Sequence, residues 1–313
     1  VEEKRAPFER KRRMPDVLLG ATAAGTGVAV CAAVTTALVR EVRQRHDLSP
    51  TVTAALGRLT TGAVLFGAGL KGNERISLQI SGDGPAGALT ADAWLLDDGA
   101  VIGARGYARN PLAELPVDER GKFAVGRVVG NGMLQVTKSY DVGQPYAGVV
   151  PLQTGEIAED LAHYLAHSEQ IPSIVALGVL ADPSGVVAAG GLLVQALPGA
   201  ADNALESIER RAMEMPSITA LVRENATPEH LLRALLGADV ELRARRELPV
   251  RFSCRCTREK VETALTGLGV DGLRRLRDER DNAEATCEFC GRQYEFTAAE
   301  IDELANRVER SKT

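Results

Sequence analysis

The sequence predicts an α+β protein. A large N-terminal mixed α/β domain is followed by a helical linker and a small C-terminal zinc-binding module. Three observations carry this. Strand-like and helix-like stretches are mixed up to residue 199 without regular βαβ alternation, which argues against a doubly wound sheet. At Pro198-Gly199 the chain turns into charge-rich amphipathic helices. Four of the five cysteines then crowd into the C-terminal part as a C-x-C and a C-x-x-C pair. With 313 residues, 45% hydrophobic and 25% charged, the chain is long enough for one large and one small domain. The expected divisions are a disordered tail over 1–13, a domain over 14–199, a metastable helical linker over 200–252, and the cysteine module over 253–313.

The elements follow in order. Residues 1–13 are charged and aperiodic. Residues 17–39 carry no charge and are long enough to span a bilayer. However, they are rich in Ala, Gly and Thr, and Gly20, Gly25 and Gly27 punctuate them as turns would. The reading is a buried strand running into a helix, with no membrane partner. Cys31, in the apolar run Val28-Ala29-Val30-Cys31, is a small buried hydrophobe. A helix over 33–46 ends in the charged face Arg40-Glu41-Val42-Arg43. A second over 52–71 is uncharged apart from Arg58 and Lys71, and so largely buried. Ile76, Leu78 and Ile80 alternate with Ser77, Gln79 and Ser81, as a half-buried strand does. Gly82-Asp83-Gly84-Pro85 turns the chain into a strand at Leu89–Ala93, and more strand follows through Leu134–Thr137. Residues 155–167 place Ile157, Leu161, Tyr164 and Leu165 on one helical face. Ile174–Leu180 and Val186–Leu197 read as strands around the turn at 182–185.

Residues 202–249 read as helical. Leu205, Ile208, Ala212 and Met215 share a face, and Pro216 ends that run. Thr227 N-caps a further helix with Pro228 at its first position, Gly237 stops it, and Leu231, Leu232, Leu235 and Leu236 form its apolar side. Helices this short do not stand alone in water and need a surface to lie on. Pattern alone fits a fixed packing pair, and it also fits a linker that detaches.

Several function classes drop out. The net charge is −5 and no basic stripe carries interleaved aromatics, so no nucleic-acid partner is indicated. The pattern GxGxxG occurs at Gly67–Gly72, Gly82–Gly87 and Gly267–Gly272, but never after a strand and opening a helix, as a dinucleotide site requires. His163 and His167 are four apart on a helix, but lack an HExxH frame and a third ligand. No catalytic constellation emerges, and the protein reads as a non-enzyme.

Cys254-Arg255-Cys256 and Cys287-Glu288-Phe289-Cys290 form two close pairs far apart in sequence, the layout of a tetrahedral four-cysteine site for one Zn²⁺ per chain. Each pair supplies two ligands from one turn, and Gly291 fits a knuckle needing positive φ. Arg255, Arg258, Lys260 and Arg292 can offset the −2 charge of four thiolates on Zn²⁺. A permanent zinc clip fits this spacing, and so does a redox switch. A core this small supplies only about 3–5 kcal/mol, whereas structural zinc supplies roughly 10–16 kcal/mol. Oxidation of the thiolates therefore removes most of the module's stability. The nearest pairings, Cys254 with Cys256 and Cys287 with Cys290, are local and do not replace the long-range tie.

The C-x-C and C-x-x-C spacing closely resembles the heat shock protein 33 family of redox-regulated chaperones. The resemblance runs over roughly residues 15–300. It includes His46-Asp-Leu-Ser-Pro50, Leu70-Lys-Gly72, Gly82-Asp-Gly84-Pro85, Arg105-Gly106-Tyr107 with Asn110-Pro111, Gly155-Glu-Ile-Ala-Glu-Asp160, Ser168-Glu-Gln-Ile-Pro-Ser173, and Ala189-Gly-Gly191 with Gln195. It implies an ATP-independent holdase that is inactive when reduced and zinc-bound. Oxidation with heat then releases the metal, unfolds the module and loosens the linker. The active form would bind unfolding client proteins and dimerise. On this account Leu205, Ile208, Met215, Leu231, Leu232 and Leu235 become client-binding surface. A zinc-containing interaction protein without redox switching is the alternative, and a thiol oxidoreductase a further one. Clustered thiols favour the cytoplasm, while the Val start and basic 1–13 segment leave room for a processed organellar form.

Overall fold

A computed structural model describes residues 15–310 apart from 118, 120, 141, 183, 202–203 and 280–281. The tail reading over 1–13 lies outside the described residues. The chain divides between Phe252 and Ser253 into two compact units.

The first unit begins with a hairpin rather than one strand running into a helix. β1 (Val17–Ala23) pairs antiparallel with β2 (Val28–Val34). Gly25 and Gly27 make the turn at φ 74° and 71°, backbone that L side chains adopt at a cost. The uncharged run is thus folded back on itself. Helix α1 (Thr36–His46) follows, its first N–H groups at Ala37 and Leu38 donating to the Asp16 carboxylate. Helix α2 (Pro50–Phe66) is capped by the Ser49 hydroxyl and continues as a short 3-10 turn through Gly69. Pro50–Gly69 is long and apolar enough to cross a membrane, yet 78% of its apolar window is buried inside the fold, so it is a core helix. Its threonines satisfy themselves: Thr60 and Thr61 donate to the carbonyls of Leu56 and Gly57 at 2.7 and 2.8 Å. Gly57 lets α1 approach, since a Cβ there would lie 2.7 Å from Val39.

Strands β3 (Arg75–Gly82), β4 (Ala88–Leu96) and β5 (Val101–Ala108) form a meander. Helix α3 (Val125–Val129) leads to β6 (Gly132–Ser139) and β7 (Tyr146–Pro151). Helix α4 (Ala158–His167) precedes the long hairpin β8 (Ser173–Asp182) and β9 (Gly185–Ala196). Helices α5 (Glu206–Glu214), α6 (Ile218–Arg223) and α7 (Pro228–Leu236) follow. The helical reading fails at the next element, because β10 (Leu242–Phe252) is a strand. Its alternation of Leu248 and Val250 with Arg245, Glu247 and Arg251 is a period of two that the density of charge conceals.

β10 organises the unit. It pairs antiparallel with β1 through residues 242–249 and parallel with β5 through 250–252. The sheet order is β7-β6-β3-β4-β5-β10-β1-β2-β9-β8, and every pairing except β5–β10 is antiparallel. On one side α2 packs against β4, β5, β8 and β9 around the main core, which includes Leu56, Leu59, Leu78 and Ile80. On the other, α5, α6 and α7 form a second core with Leu19, Val30, Val34, Leu192 and Val194.

The second unit comprises α8 (Arg258–Thr266), α9 (Gly269–Glu279), the hairpin β11 (Asn282–Thr286) and β12 (Gln293–Thr297), and α10 (Ala298–Arg310). Its core is small: Leu273, Ala283, Tyr294, Phe296, Ile301, Leu304 and Ala305.

Candidate metal centre

Two turns bring the cysteines together. Cys254 and Cys256 lie in the extended segment before α8, which Thr257 caps by accepting from Lys260 N. Cys287 and Cys290 lie in the turn between β11 and β12. There Cys287 N donates to the Arg292 carbonyl at 2.9 Å, and Gly291 N donates to the Cys287 carbonyl at 2.8 Å. Gly291 has φ 71°, the knuckle conformation expected of it. The four Sγ atoms lie within 4.8 Å of one another, and among the described residues they are the His, Cys, Asp and Glu group that could hold an ion.

The cluster fits zinc. A tetrahedral ion with Zn–S bonds of about 2.3 Å puts its sulfurs ~3.8 Å apart. Cys254 and Cys287 stand 3.8 Å apart, and Cys256 and Cys290 stand 3.4 Å apart. These contacts join one pair to the other, as ligands around a common point do. All four thiols are partly buried. Burial pushes the Cys290 thiol up to about 12 and raises the Cys287 thiol as well. Thiols so placed hold their protons unless a cation takes their place.

Two of the neighbouring cations have other partners. Arg258 pairs with Glu300 at 2.6 Å and lies over the Phe296 ring, and Lys260 donates to the Arg255 carbonyl. Tyr294 was missed: its hydroxyl donates to Cys256 Sγ at 3.2 Å. Its signal was the alternation of Tyr294 and Phe296 with exposed neighbours, which turns both inward.

The remaining candidates fall into place. Cys31 is buried, and burial pushes its thiol up to about 12, so it is inert. His163 and His167 stack at 3.9 Å between ring centroids on the edge of α4, outside the metal-holding group. The Gly82–Gly87 motif is a backbone lock: a Cβ on Gly84 would lie 2.5 Å from the Val128 carbonyl oxygen, and Asn131 N donates to Asp83. Leu205, Ile208, Leu231, Leu232 and Leu235 are buried beneath α5 and α7, and Met215 packs at their margin. Arg211 on α5 donates to the Leu236 carbonyl, and Glu229 on α7 pairs with Arg245 of β10 at 2.7 Å.

A sheet flanked by a core helix and an amphipathic helical layer, followed by a four-thiol module, defines a class of two-unit, cysteine-cluster proteins. Comparisons with known proteins agree. A family model described as Hsp33 protein matches residues 16–297. The 33 kDa chaperonin of Desulforamulus reducens is 41% identical over 297 residues, covering 95% of this chain and 99% of its own. That of Geobacillus kaustophilus is 41% identical over 293 residues, covering 93% and 98%. The crystal structure of the 33 kDa chaperonin (heat shock protein 33 homolog) from Thermotoga maritima superposes with a TM-score of 0.84 at 35% identity, covering 94% of this chain and 99% of that one. The chain belongs to the Hsp33 family of chaperones.

Proposed function

We propose that this protein is a redox-regulated, ATP-independent holdase, held inactive by zinc on Cys254, Cys256, Cys287 and Cys290 and activated when those thiols are oxidised. The observation that carries the reading is the convergence of four Sγ atoms within 4.8 Å in a unit whose own core is small. When bound, zinc ties the turn before α8 to the turn between β11 and β12. Oxidation to Cys254–Cys256 and Cys287–Cys290 disulfides removes the ligands and leaves two local links. The residual core, worth only about 3–5 kcal/mol, then holds the unit poorly.

The linker supplies the working surface. β10 ends at Phe252, two residues before Cys254, so the strand and the module are one continuous stretch of chain. Helices α5 to α7 each have nine residues or fewer and are held by the apolar face they lay on β1, β2 and β9. Loosening them bares Leu205, Ile208, Met215, Leu231, Leu232 and Leu235 together with the sheet face beneath. That surface takes unfolding clients, and the active form is a homodimer. Thiols that must rest reduced fit a cytoplasmic setting. Crosslinking a photoreactive, heat-unfolding client to the oxidised protein tests the surface. Adducts should map to 202–252 or to the sheet face under it, and adducts confined elsewhere would refute this assignment.

A further inference from the structure

Where α2 passes into its 3-10 turn, the first unit contains a cavity of about 570 Å³, within the size range of small-molecule sites. Leu65, Phe66, Leu165, Ile171 and Leu193 give it an apolar wall. Gly20 of β1 helps keep it open, since a Cβ there would meet nothing within 4 Å. The polar side chains of the wall are placed by strand periodicity. Arg246 is in step with Leu248 and Val250, Lys138 with Leu134 and Val136, and Gln195 with Leu193. Those leucines and valines belong to the main core, so each polar residue shares the inner face of its strand. A bulge keeps Arg246 in that step. Between the pairs Gly20–Arg246 and Thr22–Arg243, β1 has one residue and β10 has two, with Ala244 at φ 50°. Bulges re-aim side chains in this way beside functional sites.

The charges of the wall do not close among themselves. Lys138 pairs with Glu169 at 2.6 Å, and Glu74 accepts from Lys71 N at 2.9 Å. The Arg246 guanidinium donates to neutral carbonyls, those of Ala68, Leu70 and Gly99, at 3.4, 3.3 and 3.2 Å. Arg75, at the start of β3, has its Nε buried and, among the described residues, without a hydrogen-bond partner. Buried polar atoms left in that condition are the exception in folded proteins. Three cations, Arg75, Lys138 and Arg246, thus stand against two carboxylates, Glu74 and Glu169, which leaves one positive charge. A guanidinium fork is matched in shape and charge by a carboxylate.

We propose that this cavity binds a medium-chain aliphatic carboxylate, with its head at Arg75 and Arg246 and its chain along Leu65, Leu165 and Leu193. One negative charge balances the surplus of the wall, whereas a doubly charged phosphate head overshoots it. The bound head joins β3 to β10, and so fastens to the main core the strand that runs on towards the cysteines.

The test titrates sodium decanoate, below its micelle concentration, into the reduced full chain by isothermal titration calorimetry. Wild type should show one saturable site per chain. Decanol, which has the chain without the charge, should bind about tenfold more weakly or worse. Arg75→Gln removes the fork and its charge. It should weaken decanoate about tenfold, equivalent to ~1.4 kcal/mol, and leave decanol unchanged. Gly20→Leu puts a side chain into the open space and should abolish the binding of both. If that variant fails to fold, seen as loss of the melting transition of the first unit, Arg75→Gln decides. Absence of a saturable site in wild type, a decanoate affinity unchanged by Arg75→Gln, or decyl phosphate bound more tightly than decanoate overturns the proposal.

Discussion

Leu235 is where the account is most exposed to a single substitution. Its side chain is fully buried at the centre of the α7 face, beside Leu231 and Leu232, against the outer side of the β1-β2-β9 sheet. Leu→Ala at such a site removes packing and leaves a cavity, at about 2–5 kcal/mol. Helix α7 has nine residues and little intrinsic stability to set against that loss. The loss should therefore appear as local opening of α5 to α7, not as unfolding of the unit, because α2 belongs to a separate core cluster. Native-state amide exchange reads this directly. In the Leu235→Ala protein, protection over 206–236 should fall roughly 30-fold or more, the factor corresponding to ~2 kcal/mol, while α2 amides keep their protection. The same reduced protein should suppress client aggregation before any oxidant is added. Equal loss of protection in α2, or full protection of α5 to α7, would refute the idea that these helices form an independently releasable layer.

Other consequences are as direct. Cys290→Ser should abolish stoichiometric zinc binding and the cooperative melting of 253–313, read by metal analysis and by exchange of β11 and β12, while the first unit melts as before. The Glu229 carboxyl is held below its ordinary 4.5, first by Arg245 and then by Arg233. Its folded value is depressed, so its contribution is present above 4.5 and lost as pH falls through the folded value. Glu229→Gln should thus lower Tm near neutrality and converge with wild type in acid. Burial raises the Asp16 carboxyl to about 6, against the pull of its helix N–H donors. A raised folded value means its contribution is complete below 3.8 and lost as pH rises through about 6, so wild type should lose stability relative to Asp16→Asn over that interval. Gly84→Ala should destabilise the first unit, because the new Cβ meets backbone at 2.5 Å and no rotamer relieves it.

Much of the site was legible because metal chemistry constrains sequence tightly. Two close cysteine pairs and a glycine after the second are enough to place Cys254, Cys256, Cys287, Cys290 and the positive φ of Gly291. The caps at Thr227 and Gly237 were legible for a similar reason, since a helix end demands particular residues. The apolar faces of α5 and α7 followed from their period. What escaped was non-local. β10 reads as charged helix because its exposed face carries Arg243, Arg245, Glu247 and Arg251, and only pairing with β1 and β5 makes it a strand. The 17–34 hairpin reads as one strand because a buried run shows no period. Tyr294 reads as one more strand residue until Cys256 Sγ is found beside its hydroxyl.

The central claim is that oxidation of the cluster removes zinc and that this loss switches holding activity on. The direct measurement follows zinc release with a chromogenic chelator and, on the same samples, light scattering of a heat-unfolding client. Both are recorded before and after peroxide treatment at elevated temperature. The expected result is about one zinc per reduced chain, no suppression before oxidation, and suppression that rises in step with metal release and falls again on reduction with zinc restored. Suppression that is the same before and after zinc leaves would contradict it.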